Sequence, residues 1–398
     1  MATPGSTAAP APALAQSVAR FLALPLALYR DLRADQPVTY DERFKSWNVH
    51  RYADAVRILN DPTTFSSEAR GGGAMALPSI VGMDGTRHRK LRSLVTQAFT
   101  PRMVEQLGAR ITTVVNDLLD AGLARGRFDA MQDFAYPLPI RIISEMLGIP
   151  LEDQATFRRW SETLIAGPRT DALRGRSFAE ERAETLRELN DYLAHQLEQR
   201  RQAPAADLMS RLLTAEVDGE RLSEVELLEF CRLLLIAGYE TTACLIGNGV
   251  LTLHEMPDLA AQLRAEPALL PGALEEIVRC FPSVAGTMRI AMTDVEIAGQ
   301  NIDAGQPVIV WTKSANYDET VFRDSEVVDI RRSPNRHLGY GVGAHFCLGA
   351  PLARLELKIA LGAFLQRLPR LERDLSQPVE SVDSPFLLGV KHLALIVS

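Results

Sequence analysis

Cysteine is scarce in this 398-residue chain: Cys231, Cys244, Cys280 and Cys347 are the only four, and no two form a Cys-x-x-Cys pair. That excludes a zinc ribbon and a disulfide scaffold and fits a reducing compartment. Lysine is nearly as rare, occurring only at Lys45, Lys90, Lys313, Lys358 and Lys391, so arginine carries the positive charge, a usage that fits a GC-rich bacterial genome. Basic excess is missing too: a net charge of -7 excludes a general nucleic-acid binder. No charged leader opens the chain, and the apolar patch at 21–29 is interrupted by Pro25 and far too short to span a bilayer. The expectation is a cytoplasmic protein without a membrane anchor, with residues 1–15, rich in alternating Ala and Pro, disordered. What the chain does have is 46% hydrophobic and 23% charged residues, enough to bury a large core.

Helical periodicity dominates from about Thr86 to Pro282, with predicted helices over 89–99, 104–124, 141–147, 179–201 and 223–254. Short β-branched stretches at 37–56 and strand signals at 294–312, with turns at Ala298-Gly299 and Ala304-Gly305, supply a small β portion. No repeat, linker or composition break divides the chain, so residues 16–398 are expected to form one mainly helical domain with a small β portion. One helix stands out. Ser223 with Glu226 makes a capping box, and the run to Met256-Pro257 measures about 48 Å at 1.5 Å per residue. Its middle reads Ala237-Gly238-Tyr239-Glu240-Thr241-Thr242, where glycine, threonines and an acid are poor choices for an apolar helix. A bent core helix with Glu240 facing solvent is the plain reading of that stretch alone.

The lone Cys347 sits in Tyr340-Gly341-Val342-Gly343-Ala344-His345-Phe346-Cys347-Leu348-Gly349, just before a helix that opens Ala350-Pro351-Leu352. The glycines let backbone pass close to a flat ligand, and the helix N-terminus beside the sulfur is expected to lower its pKa and favour a thiolate metal ligand. A buried inert cysteine or a protease-type nucleophile explains the glycines less well.

The cysteine loop, the Ala-Gly-x-Glu-Thr-Thr helix and Glu276-Ile277-Val278-Arg279, in that relation, resemble the cytochrome P-450 (P450) family in its soluble bacterial form. The resemblance extends through Leu59 to Ser67, His88-Arg89-Lys90-Leu91-Arg92, Ala98 to Pro101, Leu147 to Pro150 and Ala315 to Asp318. Glu-x-x-Arg recurs at Glu184/Arg187, Glu198/Arg201 and Glu229/Arg232, so position, not spacing, selects Glu276 and Arg279. The resemblance implies a triangular domain with haem between the long central helix and the cysteine-loop helix. It makes Cys347 the axial thiolate on the iron of haem b (iron protoporphyrin IX), with Tyr340, Gly341 and Gly349 around the cofactor. Tyr340 stands where the family usually has phenylalanine. His88, Arg92, Arg289 and His345 match the positions that grip the propionates, the remaining cations near His88 suit an acidic electron donor, and Glu276 with Arg279 forms a buried structural network.

The activity implied is that of a monooxygenase, placing one atom of O2 into a C–H bond by hydroxylation or epoxidation. Glu240 and Thr241 resemble the family's acid and alcohol that deliver protons, with Gly238 opening a gap in the helix. A peroxygenase driven by H2O2, and a catalytically silent ligand carrier or scaffold, are the alternatives. By family position the substrate pocket is lined by Met75, Ile80, Leu164, Leu234, Ala237, Val284, Phe386 and Leu387, with 71–81 as a lid. These side chains are apolar and imply a steroid, terpenoid, fatty acid or macrolide-like substrate. The chain ends about 50 residues past Cys347, so electrons are expected from a separate ferredoxin or flavodoxin with an NAD(P)H-dependent reductase, serving a monomer.

Overall fold

Glu224–Glu255 forms the long central helix, and the packing around it decides where everything else goes. Its start is fixed by the capping box: the Ser223 Oγ accepts from the Glu226 N–H (3.3 Å) while Glu226 accepts from the Ser223 N–H (2.9 Å). Its end is fixed by Pro257, which pushes Met256 out of the helical region. Beyond Thr242 nearly every residue is buried, including Cys244, Ile246, Val250 and Leu251, because helices Pro137–Leu147, Phe178–Gln202 and Ala350–Arg367 wrap it. At Gly249 a Cβ would lie 2.6 Å from Leu361 Cδ1, so the close approach of Ala350–Arg367 requires glycine there. The helix is long and apolar enough to cross a membrane, yet most of it is buried within the protein itself.

The computed structural model describes residues 26–68, 80–165, 178–368, 372–382, 384 and 386–396. The 1–15 segment, Met75 and nearly all of the 71–81 stretch lie outside those residues.

The β portion is small and sits beside the helical bulk. A five-stranded sheet runs in the order Val38–Asp41, Ser46–Val49, Pro307–Val310, Thr287–Ala291, Phe65–Ser66. Only the contact between Pro307–Val310 and Ser46–Val49 is parallel. Val49, Phe65, Val308 and Val310 bury one face against Ala55, Ile58 and Leu59 of helix Tyr52–Asn60. The predicted turn at Ala298-Gly299 closes the hairpin Val295–Ile297 with Gln300–Ile302, both turn residues taking positive φ. Three further strands, Glu372–Arg373, Ala394–Ile396 and Arg127–Asp129, make a second sheet.

The expected 104–124 helix is in fact two, Pro101–Gln106 and Gly108–Ala124. Leu107 between them keeps right-handed helical angles and its N–H reaches back to the Val104 carbonyl, so the apolar period runs on through the break. The expected 141–147 helix begins earlier, at Pro137, after one turn of π-helix over Ala130–Ala135. Proline in the first helical turn leaves no donor unsatisfied, which is why the start lies upstream of the apolar run.

Glu276 and Arg279 on helix Leu270–Cys280 are both completely buried and paired through two 2.8 Å contacts. Glu276 also accepts from Arg332 Nε (3.1 Å), Asn335 Nδ2 (3.0 Å) and the Asp329 N–H (2.9 Å). Arg279 donates to the carbonyls of Asn316, Ser325 and Val327 and lies over the rings of Tyr317 and Phe322. This network ties the 316–335 segment, which leads into the cysteine loop, to the helical core.

Candidate functional site

The cysteine loop turns on Gly341 and Gly343, both at positive φ (72° and 74°). Gly343 also has no room for a side chain, since a Cβ would meet Asn60 Oδ1 at 2.7 Å and the Leu59 carbonyl at 2.9 Å. The loop closes when the Cys347 N–H donates to the Tyr340 carbonyl (2.8 Å), and helix Ala350–Arg367 starts three residues later with Pro351 in its first turn. The N–H groups of Gly349 and Ala350 point at the sulfur, and the guanidiniums of Arg92 and Arg354 add positive charge. Each of these favours a thiolate, as expected, yet burial outweighs them and the thiol pKa is raised, opposite to the expected direction. A metal cation on the sulfur reverses such a balance, because a coordinating thiol is deprotonated outright. Cys347 is exposed as a residue, although the protein around it is dense enough to raise that pKa.

On the central helix, Leu233, Leu234, Gly238 and Thr241 are half-buried and Ala237 is exposed, while Leu235, Ile236, Tyr239, Glu240 and Thr242 are buried. One helical stripe therefore faces open space in the middle of an otherwise enclosed helix. The Thr241 hydroxyl donates to the Ala237 carbonyl (2.7 Å), the back-bonding that threonine adopts in a helix. Gly238 makes no gap: the helix is continuous and a Cβ there would meet Ile143 at an ordinary 3.8 Å.

Glu240 is buried, not solvent-facing, and its Oε2 has no hydrogen-bond partner. Burial first, then the Glu162 carboxylate, raise its pKa, partly offset by Arg158, to about 7. Glu162 and Arg158 belong to helix Gln154–Ile165 and pair with each other (2.8 Å) at the protein surface. As neighbours in sequence, Glu240 and Thr241 point about 100° apart around the helix.

The expected propionate residues come together. His88 is buried with Nε2 unpartnered, and its ring lies 4.3 Å from that of His345. Burial, with His345 and Arg92 adding, lowers the His88 pKa to about 4, so it offers a neutral hydrogen-bonding ring rather than a charge. Arg92 donates to the Phe346 carbonyl beside the cysteine, and Arg289 is buried on strand Thr287–Ala291. His345 is already engaged: Nε2 contacts Asp84 Oδ1 (2.8 Å) and Ser67 Oγ (3.0 Å). Asp84 in turn accepts from Ser66 Oγ and the Ser67 N–H. These partners carried no local signal in the sequence, since 261 residues separate Asp84 from His345. Of the cations beside His88, Arg87 pairs with Glu220 and Glu226 and Lys90 pairs with Glu220.

Two of the expected pocket segments meet, as Val284 bridges Leu387 and the Ala285 N–H donates to the Phe386 carbonyl (2.8 Å). Leu164 is buried, and most of the turn that follows it lies outside the described residues. A small, mostly apolar cavity is lined by Ile80, Met83, Leu91, Val95, Leu222 and Phe230 with Glu226 and Glu229 at its edge; among the described residues, only Ile80 of the expected pocket belongs to it. The residues present suit haem: an exposed cysteine whose sulfur takes the Gly349 and Ala350 N–H groups, an orphaned buried imidazole nitrogen for an acidic group, two nearby guanidiniums and an apolar stripe on the central helix.

A family model described as Cytochrome P450 matches residues 78–396. Over 373 residues the chain is 40% identical to the cyclomarin C epoxidase CymV of Salinispora arenicola, covering 92% of this chain and 94% of that one. It is 39% identical to the mycinamicin IV hydroxylase/epoxidase of Micromonospora griseorubida, covering 86% and 87%. The crystal structure of CYP109E1 from Bacillus megaterium in complex with testosterone superposes with a TM-score of 0.86 at 34% identity, covering 94% and 99%.

Proposed function

Because the chain belongs to the cytochrome P450 family, we propose that Cys347 is the thiolate ligand of its haem and that Glu240 and Thr241 deliver protons for oxygen insertion into a hydrophobic substrate. The protein is a cytochrome P450 monooxygenase with a haem cofactor. Bound haem supplies the redox chemistry, in which O2 takes two electrons and two protons, one oxygen atom enters a C–H or C=C bond and the other leaves as water.

The observation that carries the reading is the pairing of an exposed cysteine with a central-helix acid poised near neutrality. Cys347 would hold the iron, with the Gly349 and Ala350 N–H groups orienting the sulfur and the Tyr340 carbonyl fixing the loop. His88, Arg92 and Arg289 would bind the propionates, joined by His345 through Nδ1, since Asp84 and Ser67 occupy its Nε2. Glu240, with a pKa about 7, exchanges protons at neutral pH, and its surface link is the Arg158 and Glu162 pair. Thr241 receives the proton by rotating its hydroxyl off the Ala237 carbonyl; the 100° between the two side chains is bridged by water.

The apolar faces at Leu234, Ala237, Val284, Phe386 and Leu387 exclude water and select a hydrophobic substrate such as a steroid, terpenoid, fatty acid or macrolide-like product. A relative epoxidises cyclomarin C, another hydroxylates or epoxidises mycinamicin IV, and a similar structure holds testosterone. The enzyme works as a cytoplasmic monomer, one haem domain over 16–398, fed by a ferredoxin or flavodoxin and its NAD(P)H-dependent reductase. Turnover of testosterone, or of a macrolide that shifts the spin state, with a surrogate ferredoxin system under 18O2 tests this. One 18O atom per product is expected. Product formed only with added H2O2, carrying no label from O2, overturns it in favour of a peroxygenase.

A further inference from the structure

Glu275, the residue before the buried structural glutamate, points not into the Arg279 network but toward the cysteine loop. Its carboxylate takes a two-point contact from Arg354 of helix Ala350–Arg367, Nε to Oε1 at 2.7 Å and Nη2 to Oε2 at 2.8 Å. It also contacts His337 Nε2 at 3.0 Å. The Gly339 N–H donates to His337 Nδ1 (3.2 Å), which leaves Nε2 to donate to Glu275. The planar Arg354 head, fixed by this fork, lies 4.3 Å over the ring of Tyr340. Tyr340 in turn holds the cysteine backbone by accepting the Cys347 N–H at 2.8 Å. Arg354 also acts electrostatically on the Cys347 sulfur, and Glu275 stays ionised, its carboxyl held down to about 2 by the Arg354 and His337 contacts against the opposing effect of burial.

We propose that Glu275 and Arg354 are positioning residues that set the electrostatic potential at the Cys347 sulfur, and through it the reduction potential of the haem iron. The inference rests on Cys347 being the haem ligand. The pair contributes one positive and one negative charge, so the sulfur senses an oriented dipole, of which the Arg354 end acts on it directly. Arg354→Gln leaves the carboxylate uncompensated and favours the ferric state; Glu275→Gln leaves the guanidinium uncompensated and favours the ferrous state. The two single variants of one ion pair must then move the potential in opposite directions. The double variant must return toward the wild type, because it removes equal and opposite charges.

Spectroelectrochemical titration of the haem-loaded proteins tests this, alongside the reduced, carbon monoxide-bound spectrum and the melting temperature of each. The midpoint is expected to fall in Arg354→Gln, rise in Glu275→Gln and lie near the wild type in the double variant, all with thiolate-type spectra. Arg354→Lys, which keeps the charge and loses the fork, should stay closer to the wild type than Arg354→Gln, and it substitutes for that variant if glutamine prevents folding. Shifts of the same sign, or no shift, in proteins that retain the thiolate band overturn the inference and leave the pair a structural clamp. A wild-type spectrum without the thiolate band instead overturns the ligand assignment itself.

Discussion

Replacing Glu276 by glutamine removes one negative charge from a site that solvent does not reach and that two guanidiniums share. The carboxylate accepts two contacts from Arg279, a shared one from Arg332 Nε on both oxygens, one from Asn335 and one from the Asp329 N–H. Glutamine keeps one acceptor oxygen and turns the other into a donor that faces N–H groups. Arg279 is left buried without its counter-charge, a loss of about 3–5 kcal/mol for breaking a buried pair from one side. With about 2.1 cal/mol/K of unfolding entropy per residue, 398 residues give about 0.8 kcal/mol/K, so the melting temperature should fall by about 4–6 °C. Thermal melts of the haem-loaded proteins by circular dichroism, at one scan rate, measure the shift. The control is Arg201→Gln, which breaks an exposed pair with Glu198 and should cost below about 1 kcal/mol. The pH dependence gives a second reading. Against the opposing effect of burial, the Arg279 and Arg332 guanidiniums and the Asp329 N–H hold the Glu276 carboxyl below the usual glutamate range, so its contribution is present above that range and lost as the pH falls through it. The variant should therefore lose part of the wild-type acid sensitivity. A melting temperature within 1 °C of wild type, about the size of the control effect, would refute the reasoning.

Thr241→Ala should uncouple electron use from product and release peroxide, and Glu240→Gln should lower turnover by about 10²-fold; product per NAD(P)H equal to wild type in Thr241→Ala would remove the threonine from the proton path. Glu356 on helix Ala350–Arg367 is buried, its Oε1 has no partner, and burial raises its pKa to about 8. A carboxyl raised in this way makes the folded state bind more protons, so stability should fall as the pH rises from 4.5 toward 8. Glu356→Gln should flatten that slope in urea denaturation at several pH values. Phe364→Ala opens the contacts with Phe128 and Phe134, whose ring centroids lie 5.9 and 4.8 Å away, and should cost about 3–5 kcal/mol by the same denaturation assay.

What the sequence made legible was whatever is written within a few residues. The Ser223 and Glu226 cap, the glycines of the cysteine loop and the hairpin turn at Ala298-Gly299 all depend on local backbone, whereas Glu276 and Arg279 were picked out by their position relative to the other motifs. Contacts between distant segments were not legible. The Glu275 fork with Arg354 spans 79 residues and the contact of His345 with Asp84 spans 261, and nothing in either neighbourhood names the partner. The partners of Arg87 and Lys90, Glu220 and Glu226, come from another element and had no signal beside His88. The break at Leu107 escaped because a helical residue there keeps the apolar period intact. The raised thiol pKa of Cys347 escaped for a different reason. Dipole and charge can be inferred from sequence, whereas the opposing burial depends on the completed fold.

The thiolate assignment is tested most directly by the reduced, carbon monoxide-bound difference spectrum of the purified protein beside that of Cys347→Ser. The account predicts the strongly red-shifted Soret band of thiolate-ligated haem in the wild type and its loss in the variant. A wild-type band at the position of histidine-ligated or neutral-thiol haem, or a red-shifted band that survives in Cys347→Ser, would contradict it.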